Sequence, residues 1–365
     1  MTEVRPRLAR LRETLAEQGI DAAVVSHPAN RGYLSGFIVD DHGPDEPEGM
    51  LVVDRDRARF FTSIVNLPSA AAAVAPGIEA VDWGRPWPLE LGKALKGDGI
   101  AKLGIEDEAL TVAALAGMEE GLEGRTEVVR LGRLVDEVRS RKDASELAII
   151  AEAIRITDEA FVAATTDLAA GTTEKQLAAR LDQAMRDLGA EGPGFGTIVA
   201  AGPHAARPHH DPTDRPIEES EPVVIDMGAR LRGYNADLTR TIWVGEPTDR
   251  LRTLYTIVFG ANAAVASGLV VGMSGNDADA LAREPIAAAG YGDEFTHGTG
   301  HGLGIKVHEA PSLRKEGTDE LLTGHVVTIE PGIYLPDWGG VRIEDVVVIE
   351  ETGARILTGA PKLVP

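Results

Sequence analysis

The sequence contains no cysteine among its 365 residues. Without thiols the protein can have no disulfide framework, no thiolate nucleophile and no cysteine-ligated zinc. Any metal ion that it binds must therefore be held by histidine nitrogens and by oxygen atoms. This single absence narrows the available chemistry before any motif is considered.

Basic residues are scarce relative to acidic ones. Lysine and arginine together number 36, and aspartate and glutamate 58, which gives a formal net charge of −22. A negative charge of this size favours solubility and repels polyanions. The composition therefore argues against nucleic acid and anionic membranes as partners.

Long hydrophobic runs are also missing. Apolar stretches such as Ile257 to Val271 are interrupted by glycine and asparagine, whereas a membrane-spanning helix needs about 20 consecutive apolar residues. The stretch from Met1 to Gly19 mixes arginine and glutamate with leucine at helical spacing, unlike a signal or transit peptide. We expect no transmembrane segment and a cytoplasmic location.

The length of the chain indicates two domains, because single domains typically contain about 50 to 250 residues. From Leu8 to about Val135 the strand and helix patterns alternate, which predicts an α/β domain. The charged run Asp136 to Lys142, followed by an apolar-periodic segment from Ala144 to Thr165, predicts a helical joint. We therefore place an N-terminal domain at residues 1–138 and a C-terminal domain at residues 139–365.

The second domain combines helices with a larger share of strands. We predict helices over residues 144–168, 173–188, 249–268 and 277–289, and strands over residues 197–200, 222–229, 237–244, 326–334 and 341–349. This order favours an α+β domain in which helices flank an antiparallel sheet.

Two aspartates flank a short turn between predicted strands. Asp226 closes the apolar run Val-Val-Ile, Asp237 opens the next strand, and Gly233 lies in the turn between them. The two carboxylates can therefore meet across a hairpin. A carboxylate at the end of a buried strand is costly unless it is paired, hydrogen-bonded or metal-bound. For Asp226, a salt bridge to Arg240 or an Asx-turn is the alternative to a metal.

Three histidines, His297, His301 and His308, lie in one glycine-rich segment. Small residues allow backbone and ligand to approach closely, and imidazole is a common metal ligand. The segment is followed by no Lys-Ser/Thr pair and lies in no βαβ unit, so we discard a phosphate-binding loop. The grouping favours a functional site over scattered structural histidines.

Two glutamates repeat the arrangement of Asp226, because Glu330 follows Val-Val-Thr-Ile and Glu344 follows Val-Arg-Ile. With Asp226, Asp237 and His301 they supply five side chains, enough for two divalent cations that are each completed by water. An oxygen-rich, thiol-free ligand set favours Mn²⁺, with Co²⁺ and Zn²⁺ as alternatives.

These segments resemble, in order, the signature blocks of the M24 metallopeptidases of the pita-bread fold, which include methionine aminopeptidase, aminopeptidase P and prolidase. The likeness covers residues 145–365, and the N-terminal domain resembles the creatinase-type domain that prolidases and aminopeptidases P carry. The implied fold is an α/β creatinase-like domain followed by an α+β pita-bread domain. The matching blocks are Asp226-Met-Gly-Ala, Gly233-Tyr-Asn-Ala-Asp237-Leu-Thr-Arg-Thr, His297-Gly-Thr-Gly-His301-Gly, Val307-His308-Glu, Ile329-Glu330-Pro-Gly-Ile-Tyr and Val341-Arg342-Ile-Glu344-Asp.

The resemblance also implies roles for the five candidate ligands. Asp226 would chelate one metal, Asp237 and Glu344 would bridge both, and His301 with Glu330 would complete the other. Glu330 would in addition carry a proton from the attacking water to the leaving amine.

Four further residues acquire expected roles near the substrate. His209 resembles a family histidine that lines the substrate pocket, and His297 and His308 resemble two that contact the substrate and the intermediate. Arg342 lies two residues before Glu344 and on a strand would face the same side. There it could stabilise the carboxylates or orient a substrate, with an ordinary ion pair as the alternative.

The remaining histidines and two aromatic residues are expected to have structural roles. We expect His210 to be an exposed neighbour of His209, and Tyr234 and Trp338 to pack in the core rather than line the pocket. The other histidines without an expected role in the chemistry are His27, His42, His204 and His325.

The function implied by the resemblance is hydrolysis of the Xaa-Pro bond at the N-terminus of dipeptides or short peptides, by an enzyme that forms a homodimer. Dipeptidase and aminopeptidase both stay open, because some prolidases place arginine where this chain has Ser312, with Arg314 nearby. A same-fold metal-dependent hydrolase or lyase acting on a non-peptide small molecule is an alternative. A non-catalytic binding protein is a third, but such members characteristically lose metal ligands.

Overall fold

The computed structural model describes residues 4–363, and the chain divides after Arg139 into two compact units. Within the described residues, no helix combines the length and the apolar character needed to cross a membrane.

The N-terminal unit alternates helices and strands, as predicted. Its helices are α1 (Val4–Glu17), α2 (Pro28–Ser35), α3 (Leu67–Ala73), α4 (Trp87–Gly97), α5 (Val112–Leu122) and α6 (Leu134–Ser140), the last of which ends at the division between the units. Its strands are β1 (Ala22–Val25), β2 (Met50–Asp54), β3 (Ala58–Thr62), β4 (Ile78–Asp82), β5 (Lys102–Ile105) and β6 (Glu127–Arg130).

The six strands of this unit form one mixed sheet in the order β4-β3-β2-β1-β5-β6. The central strand β1 pairs antiparallel with β2 and parallel with β5. All four residues of β1 are buried, as expected for a strand that is covered on both faces. The helices α4 and α5 pack closely because Gly92 lacks a side chain: a Cβ there would lie 2.2 Å from the Met118 carbonyl oxygen.

The described part of the C-terminal unit, residues 140–363, contains four α-helices that begin within it and many short strands. The helices are α7 (Ala144–Thr165), α8 (Glu174–Asp187), α9 (Asp249–Gly268) and α10 (Gly275–Ala288), and a 3₁₀ helix spans Gly202–Ala206. The strands are β7 (Gly192–Pro193), β8 (Ile198–Ala201), β9 (Val223–Met227), β10 (Ala229–Leu231), β11 (Tyr234–Asn235), β12 (Leu238–Ile242), β13 (Gly300–Gly302), β14 (Glu309–Leu313), β15 (Val326–Ile329), β16 (Gly332–Leu335), β17 (Gly339–Arg342), β18 (Asp345–Glu350) and β19 (Gly353–Ile356).

The ladders of the C-terminal unit are antiparallel, and they form sheets in the orders β14-β13-β15-β18-β19, β12-β9-β8, β11-β10-β7 and β16-β17. Helices α9 and α10 share a buried apolar cluster with β15 and β18. A second cluster joins α7 and α8 to β8, β9 and β12. The predicted α+β domain, with helices flanking antiparallel sheet, is confirmed.

Local signals explain where the long helices begin. Asp143 caps α7 by accepting hydrogen bonds from the amides of Ser145 and Glu146, and Glu146 bonds back to the Asp143 amide. This reciprocal capping box satisfies amides that otherwise lack helical partners. Thr248 caps α9 in a similar way through the Leu251 amide. Both helices coincide with predicted ones.

The prediction of two continuous strands near the end of the chain is wrong. The stretch predicted as one strand over residues 326–334 breaks into β15 and β16 around Glu330 and Pro331, and residues 341–349 break into β17 and β18 around Glu344. Pro331 has no amide hydrogen and cannot continue a ladder. Each break therefore falls beside a candidate metal ligand. The short elements α2, β6, β13 and β14 were not predicted.

Candidate metal centre and active site

The two aspartates are brought together by neighbouring strands, as predicted. Asp226 lies in β9 opposite Thr239 of β12, and the two strands pair antiparallel. Asp237 immediately precedes β12, two residues before Thr239, so the alternation of side chains directs both toward one face. The turn between the aspartates contains Gly233 at a positive φ of 76°, a conformation that glycine adopts without steric cost.

The glycines around His301 allow its strand to lie against neighbouring backbone. A Cβ on Gly300 would stand 1.9 Å from the Thr328 carbonyl oxygen, and one on Gly302 would stand 2.1 Å from the Ala310 carbonyl oxygen. His301 thus occupies β13 between β14 and β15, and the register shifts at this residue. A bulge of this kind redirects a side chain.

Glu330 and Glu344 are each fixed by the backbone of a strand that carries another ligand. The Glu330 amide donates to the Thr299 carbonyl at 2.7 Å, two residues before His301. The Glu344 amide donates to the Thr239 carbonyl at 3.0 Å, two residues after Asp237. Main-chain hydrogen bonds therefore link Glu330 to the segment of His301, and Glu344 to the segment of Asp237.

The five predicted ligands converge on one buried site. His301 Nε2 lies 3.3 Å from Glu330 Oε1 and 3.8 Å from Asp237 Oδ2. One ligand atom each from Asp237, His301 and Glu344 lies within 4.8 Å of the others. Asp226 joins this group electrostatically, because its charge acts on both Asp237 and Glu344.

Glu330 and His301 stabilise each other in their charged forms. Burial alone would raise the pKa of Glu330, but the hydrogen bond and positive charge of His301 outweigh it and lower this pKa to about 2. Burial would likewise lower the pKa of His301, yet its hydrogen bond to Glu330 and the charge of that carboxylate raise it above the usual value. Each group therefore favours the charged form of the other.

The pKa values of the other three carboxylates are raised rather than lowered. Burial raises the pKa of Asp226, although Arg342 opposes the effect. Burial and the charges of neighbouring carboxylates raise the pKa values of Asp237 and Glu344 well above the usual range. Buried like charges disfavour simultaneous ionisation. The cluster therefore needs additional positive charge to ionise fully.

Two oxygens of the cluster have the environment expected for metal ligands. Asp226 Oδ1 and Glu344 Oε1 are buried and have no hydrogen-bond partner among residues 4–363. Their companion oxygens are occupied, since Asp226 Oδ2 accepts from Arg342 and Glu344 Oε2 accepts from Thr239 Oγ1 at 2.8 Å. A buried carboxylate oxygen without a partner is destabilising unless a cation binds it. The donor set of four carboxylates and one imidazole thus fits a pair of divalent cations.

Arg342 belongs to an oriented chain of hydrogen bonds beside the ligands. It donates from Nη2 to Asp226 Oδ2 at 2.8 Å and from Nη1 to the Tyr334 hydroxyl at 2.9 Å. That hydroxyl lies 2.8 Å from His297 Nε2, and His297 Nδ1 lies 2.7 Å from the Gly298 carbonyl. Because a carbonyl only accepts, Nδ1 carries the proton and Nε2 accepts from Tyr334. Both nitrogens of His297 are thus engaged within the protein.

The ion pair considered as the alternative for Asp226 does not form with Arg240. Arg240 pairs instead with Asp345, with Nη2 and Oδ1 3.0 Å apart. The partner of Asp226 is Arg342, which is 2 % exposed. Its burial would lower its pKa, but Tyr334 and Asp226 outweigh that effect, so the arginine stays charged.

The two remaining candidate histidines lie on different parts of the site. The rings of His308 and His301 are 4.4 Å apart, and burial together with the charge of His301 lowers the pKa of His308. His209 is exposed on the segment after the 3₁₀ helix. It is close enough to His308 for its charge to affect that pKa, and the carbonyl of its neighbour Pro208 accepts from Arg342 Nη1 at 3.4 Å.

The expectation for His210 is wrong. This residue is only 6 % exposed, and its Nε2 lies 3.0 Å from Glu174 Oε2. His204 lies on the same carboxylate, 2.9 Å from Oε1. The exposed neighbour is His209 itself.

Other residues keep the structural roles expected of them. His325 is buried and lies 3.2 Å from Ser140 Oγ, and His27 caps α2. Tyr234 is buried and donates to Glu146 Oε1 at 3.1 Å, and Trp338 packs against the cluster around α9.

Sequence reasoning missed three contributors to the site and its surroundings. Tyr334 stands in the matched block Ile329-Glu330-Pro-Gly-Ile-Tyr but was given no role. Thr239 stands two residues after Asp237, and that spacing alone could have placed it on the same face. Glu174 offered no such signal, because its partners lie far along the chain.

Comparison with known families places the chain in a family. The model of metallopeptidase family M24 matches residues 148–351, which is more than half of the chain. The chain belongs to metallopeptidase family M24. In this M24 protein the creatinase/prolidase N-terminal domain matches residues 7–141. The expected combination of a creatinase-like domain with a pita-bread domain is confirmed.

The relatives of this M24 protein include dipeptidases similar to it over nearly its whole length. It is 35% identical to the Xaa-Pro dipeptidase of Pyrococcus furiosus, over 97% of this chain and 98% of the relative. It is 39% identical to the Xaa-Pro dipeptidase of Pyrococcus horikoshii, over 98% of both. The solved structure of the Xaa-Pro dipeptidase from Bacillus anthracis matches with a TM-score of 0.92 at 36% identity, over 99% of both chains. The X-Pro aminopeptidase from Thermotoga maritima matches with a TM-score of 0.85 at 32% identity, over 94% of this chain and 97% of that one.

Proposed function

We propose that this M24 protein hydrolyses the Xaa-Pro bond at the N-terminus of dipeptides and short peptides with the help of two divalent cations. The observation that carries the proposal is the buried convergence of four carboxylates and His301, in which Asp226 Oδ1 and Glu344 Oε1 have no other partner. The relatives named Xaa-Pro dipeptidase, at 35% and 39% identity, supply the substrate class.

The proposed ligand assignment follows the resemblance to the M24 metallopeptidases. By that resemblance the two cations would be held by Asp226, Asp237, His301, Glu330 and Glu344, with Asp226 toward one ion and His301 and Glu330 toward the other. Mn²⁺ is the proposed native ion, because hard oxygen donors predominate. Co²⁺ and Zn²⁺ are the alternatives to be compared in reconstitution.

The chain supplies proton transfer and orientation. When bound, divalent cations provide Lewis-acid activation of the scissile carbonyl and of water. Glu330 accepts a proton from the attacking water and delivers it to the proline nitrogen, which must be protonated to leave. Arg342 fixes Asp226 Oδ2, and so leaves Oδ1 of that ligand directed to a cation.

The histidines divide between substrate contact and support. We assign His209 and His308 to substrate contact, because His209 is exposed and His308 lies beside His301. His297 uses Nε2 for Tyr334 and Nδ1 for Gly298, so its proposed role is to orient the Tyr334 hydroxyl and Arg342. This differs from the direct substrate contact expected from sequence.

We propose that a cavity beside His297 receives the carboxylate end of a dipeptide. It has a volume of about 440 Å³, and Arg314 and Lys315 line it. The side chains of Arg314 and Lys315 are both exposed and positively charged. They can attract the carboxylate at the end of a dipeptide, and a longer peptide would place that carboxylate farther away. We therefore propose Xaa-Pro dipeptides as preferred substrates.

The decisive experiment compares Ala-Pro, Ala-Pro-Ala and Ala-Ala as substrates. Metal-free protein is reconstituted with Mn²⁺, Co²⁺ or Zn²⁺, and bound metal is quantified alongside the release of alanine. Cleavage of Ala-Pro but not of Ala-Ala would support the proposed proline specificity. Cleavage of Ala-Pro-Ala at a higher kcat/KM than Ala-Pro would replace the dipeptide preference with aminopeptidase activity.

If two ions bind and neither proline peptide is cleaved, the proposal is overturned, and hydrolysis or lysis of a non-peptide small molecule becomes the leading account. Homodimerisation and a cytoplasmic location stay predictions of the sequence. Light scattering of the metal-loaded protein tests the first.

A further inference from the structure

One buried carboxylate outside the metal centre accepts an unusual number of hydrogen bonds. Glu174, the first residue of α8, is fully buried. Its Oε1 is bonded to the Ala201 amide and to His204 Nδ1, each at 2.9 Å. Its Oε2 is bonded to His210 Nε2 at 3.0 Å, and to the Thr213 amide at 2.9 Å and hydroxyl at 2.7 Å.

The bonds to Glu174 stabilise its ionised form. Burial alone would raise the pKa of Glu174, but the Thr213 hydroxyl and the Ala201 amide, followed by His210, lower it to about 2. An ionised carboxylate only accepts, so the ring nitrogens of His204 and His210 that face it carry protons. All five donors are therefore matched to one acceptor group.

The partners of the Glu174 side chain all belong to residues 201–213, the segment that also carries His209. Ala201 ends β8 and Gly202–Ala206 form a short 3₁₀ helix, but residues 207–213 have no regular secondary structure. Glu174 crosslinks it at Ala201, near its start, and at Thr213, at its end. One side chain thus ties both ends of the segment to α8, beside the bond from the Lys175 amide to the Thr213 carbonyl at 3.1 Å.

His209 lies between two anchors of this segment. On one side its neighbour His210 is bonded to Glu174. On the other side the carbonyl of Pro208 accepts from Arg342, which also binds Asp226. The exposed imidazole of His209 is therefore held in place through its backbone, with the metal ligands on one side and Glu174 on the other.

A cation site at this cluster would be an alternative, since ligand atoms of Glu174, His204 and His210 lie within 4.8 Å of one another. However, a carboxylate offers about four lone-pair positions, and five donors already use those of Glu174. A cation would have to displace protons from both imidazoles. The hydrogen-bonded arrangement is complete without one.

We propose that Glu174 is a positioning residue for substrate binding, acting by holding the segment that presents His209 beside the metal centre. This inference rests on the proposed function, because His209 is assigned there to substrate contact. Glu174 itself touches neither substrate nor metal. Its effect must therefore pass through His209.

The test compares Glu174→Gln, His209→Ala and the double variant as metal-loaded enzymes with Ala-Pro as substrate. Glu146→Gln is the matched control, because Glu146 is also a fully buried glutamate in a helix cap of the same unit. We expect Glu174→Gln to raise KM roughly tenfold with kcat changed less than twofold, the pattern of lost ground-state binding. The double variant should be no worse than the poorer single one, since both remove the same interaction.

Hydrogen exchange of residues 201–213 is the readout that needs no activity. Exchange should accelerate in Glu174→Gln but not in Glu146→Gln. Equal KM values and equal exchange in the two variants would overturn the inference, as would additive effects in the double variant. If the parent enzyme cleaves no proline peptide, the proposed function fails, while exchange still decides whether Glu174 holds the segment.

Two further outcomes are decisive. If Glu174→Gln does not fold, Thr213→Val takes its place, because it removes only the hydroxyl bond to Glu174. It should show the same changes with smaller amplitude, and unchanged KM and exchange in that variant would overturn the inference.

Titration with Zn²⁺ is expected to give the same number of bound ions in the parent and in His204→Ala. A third ion that is lost in His204→Ala would show that the cluster is a metal site instead.

Discussion

Arg342 donates from Nη2 to Asp226 Oδ2 at 2.8 Å, and the second oxygen of the same carboxylate is left buried without a partner. The two oxygens of one ligand are thus differentiated by the protein. The arginine is buried between Asp226, Tyr334 and Thr239. It supplies positive charge that stays in the site whether or not a metal is bound.

Arg342→Met should destabilise the metal-free protein more than the metal-loaded protein. Loss of one partner of a buried pair costs roughly 3–5 kcal/mol, but bound divalent cations replace part of the missing charge. Urea unfolding with EDTA measures the stability of the metal-free protein, and urea unfolding with excess Mn²⁺ measures that of the metal-loaded protein. The control Arg155→Met removes exposed pairs with Glu152 and Glu159 and should leave both values nearly unchanged. Equal losses with and without metal would contradict the expectation.

Glu330→Gln should abolish most activity while leaving the fold intact. The amide keeps the shape of the side chain but cannot accept a proton, and general acid–base catalysis contributes about 10²–10⁴-fold. We expect kcat on Ala-Pro to fall by at least about 100-fold at saturating Mn²⁺, with circular dichroism unchanged. Metal content must be measured in the same samples. A variant with normal kcat would remove Glu330 from the proposed proton transfer.

Gly300→Ala should weaken both folding and metal binding. The new Cβ would stand 1.9 Å from the Thr328 carbonyl oxygen, so β13 must move and carry His301 with it. Overpacking of this kind costs about 1–3 kcal/mol, and Mn²⁺ affinity measured by calorimetry should fall at least tenfold. Gly260→Ala is the control, since a Cβ there meets nothing within 4 Å and alanine favours the helix. Similar behaviour of the two variants would refute the steric argument.

The stability of the protein should fall between pH 7 and pH 5 because of His325. Burial, with smaller contributions from Lys142 and Arg141, lowers the pKa of His325 to about 4. The Leu322 amide donates to its Nδ1 at 3.1 Å, which leaves no room for a second proton there. Because the folded pKa is depressed, the unfolded chain binds more protons below about pH 6.5, and stability is lost as pH falls through this window.

The expected loss from His325 is about 2 kcal/mol at pH 5, at 1.36 kcal/mol per pKa unit. His325→Gln can keep both hydrogen bonds without titrating, so its unfolding free energy should change less with pH than that of the parent. Urea unfolding of both proteins with EDTA at pH 7, 6 and 5 gives the difference directly. Parallel curves would show that His325 does not titrate in this window.

Much of the fold could be predicted because local patterns carry it. The capped helices α7 and α9 and the apolar run before Asp226 all signal their own structure. Strand β13 was missed because its residues, Gly-His-Gly, have little strand propensity. Its conformation depends on close contact with β14 and β15, and such tertiary contacts override local preference. The breaks at Glu330 and Glu344 were also missed, although Pro331 offered a signal for the first.

Within the site, sequence could nominate residue types but not partners. The convergence of Asp226, Asp237, His301, Glu330 and Glu344 was predictable as a set, since the carboxylates follow or flank apolar strands and His301 lies in a glycine-rich segment with two further histidines. The pairing of Asp226 with Arg342 rather than Arg240 was not, because both arginines lie near candidate ligands in the sequence. The burial of His210 was not predictable either. The carboxylate that contacts it, Glu174, belongs to α8 and lies far from His210 along the chain.

The backbone bonds from Glu330 to Thr299 and from Glu344 to Thr239 have a consequence for sequence change over evolution. Each receiving strand carries a ligand two residues from the accepting carbonyl. Inserting one residue between carbonyl and ligand would reverse the face of the side chain and disturb two ligands at once. Loops between the strands bear no such constraint. Spacing inside each block should thus be invariant among active homologues, while the distances between blocks are free to drift.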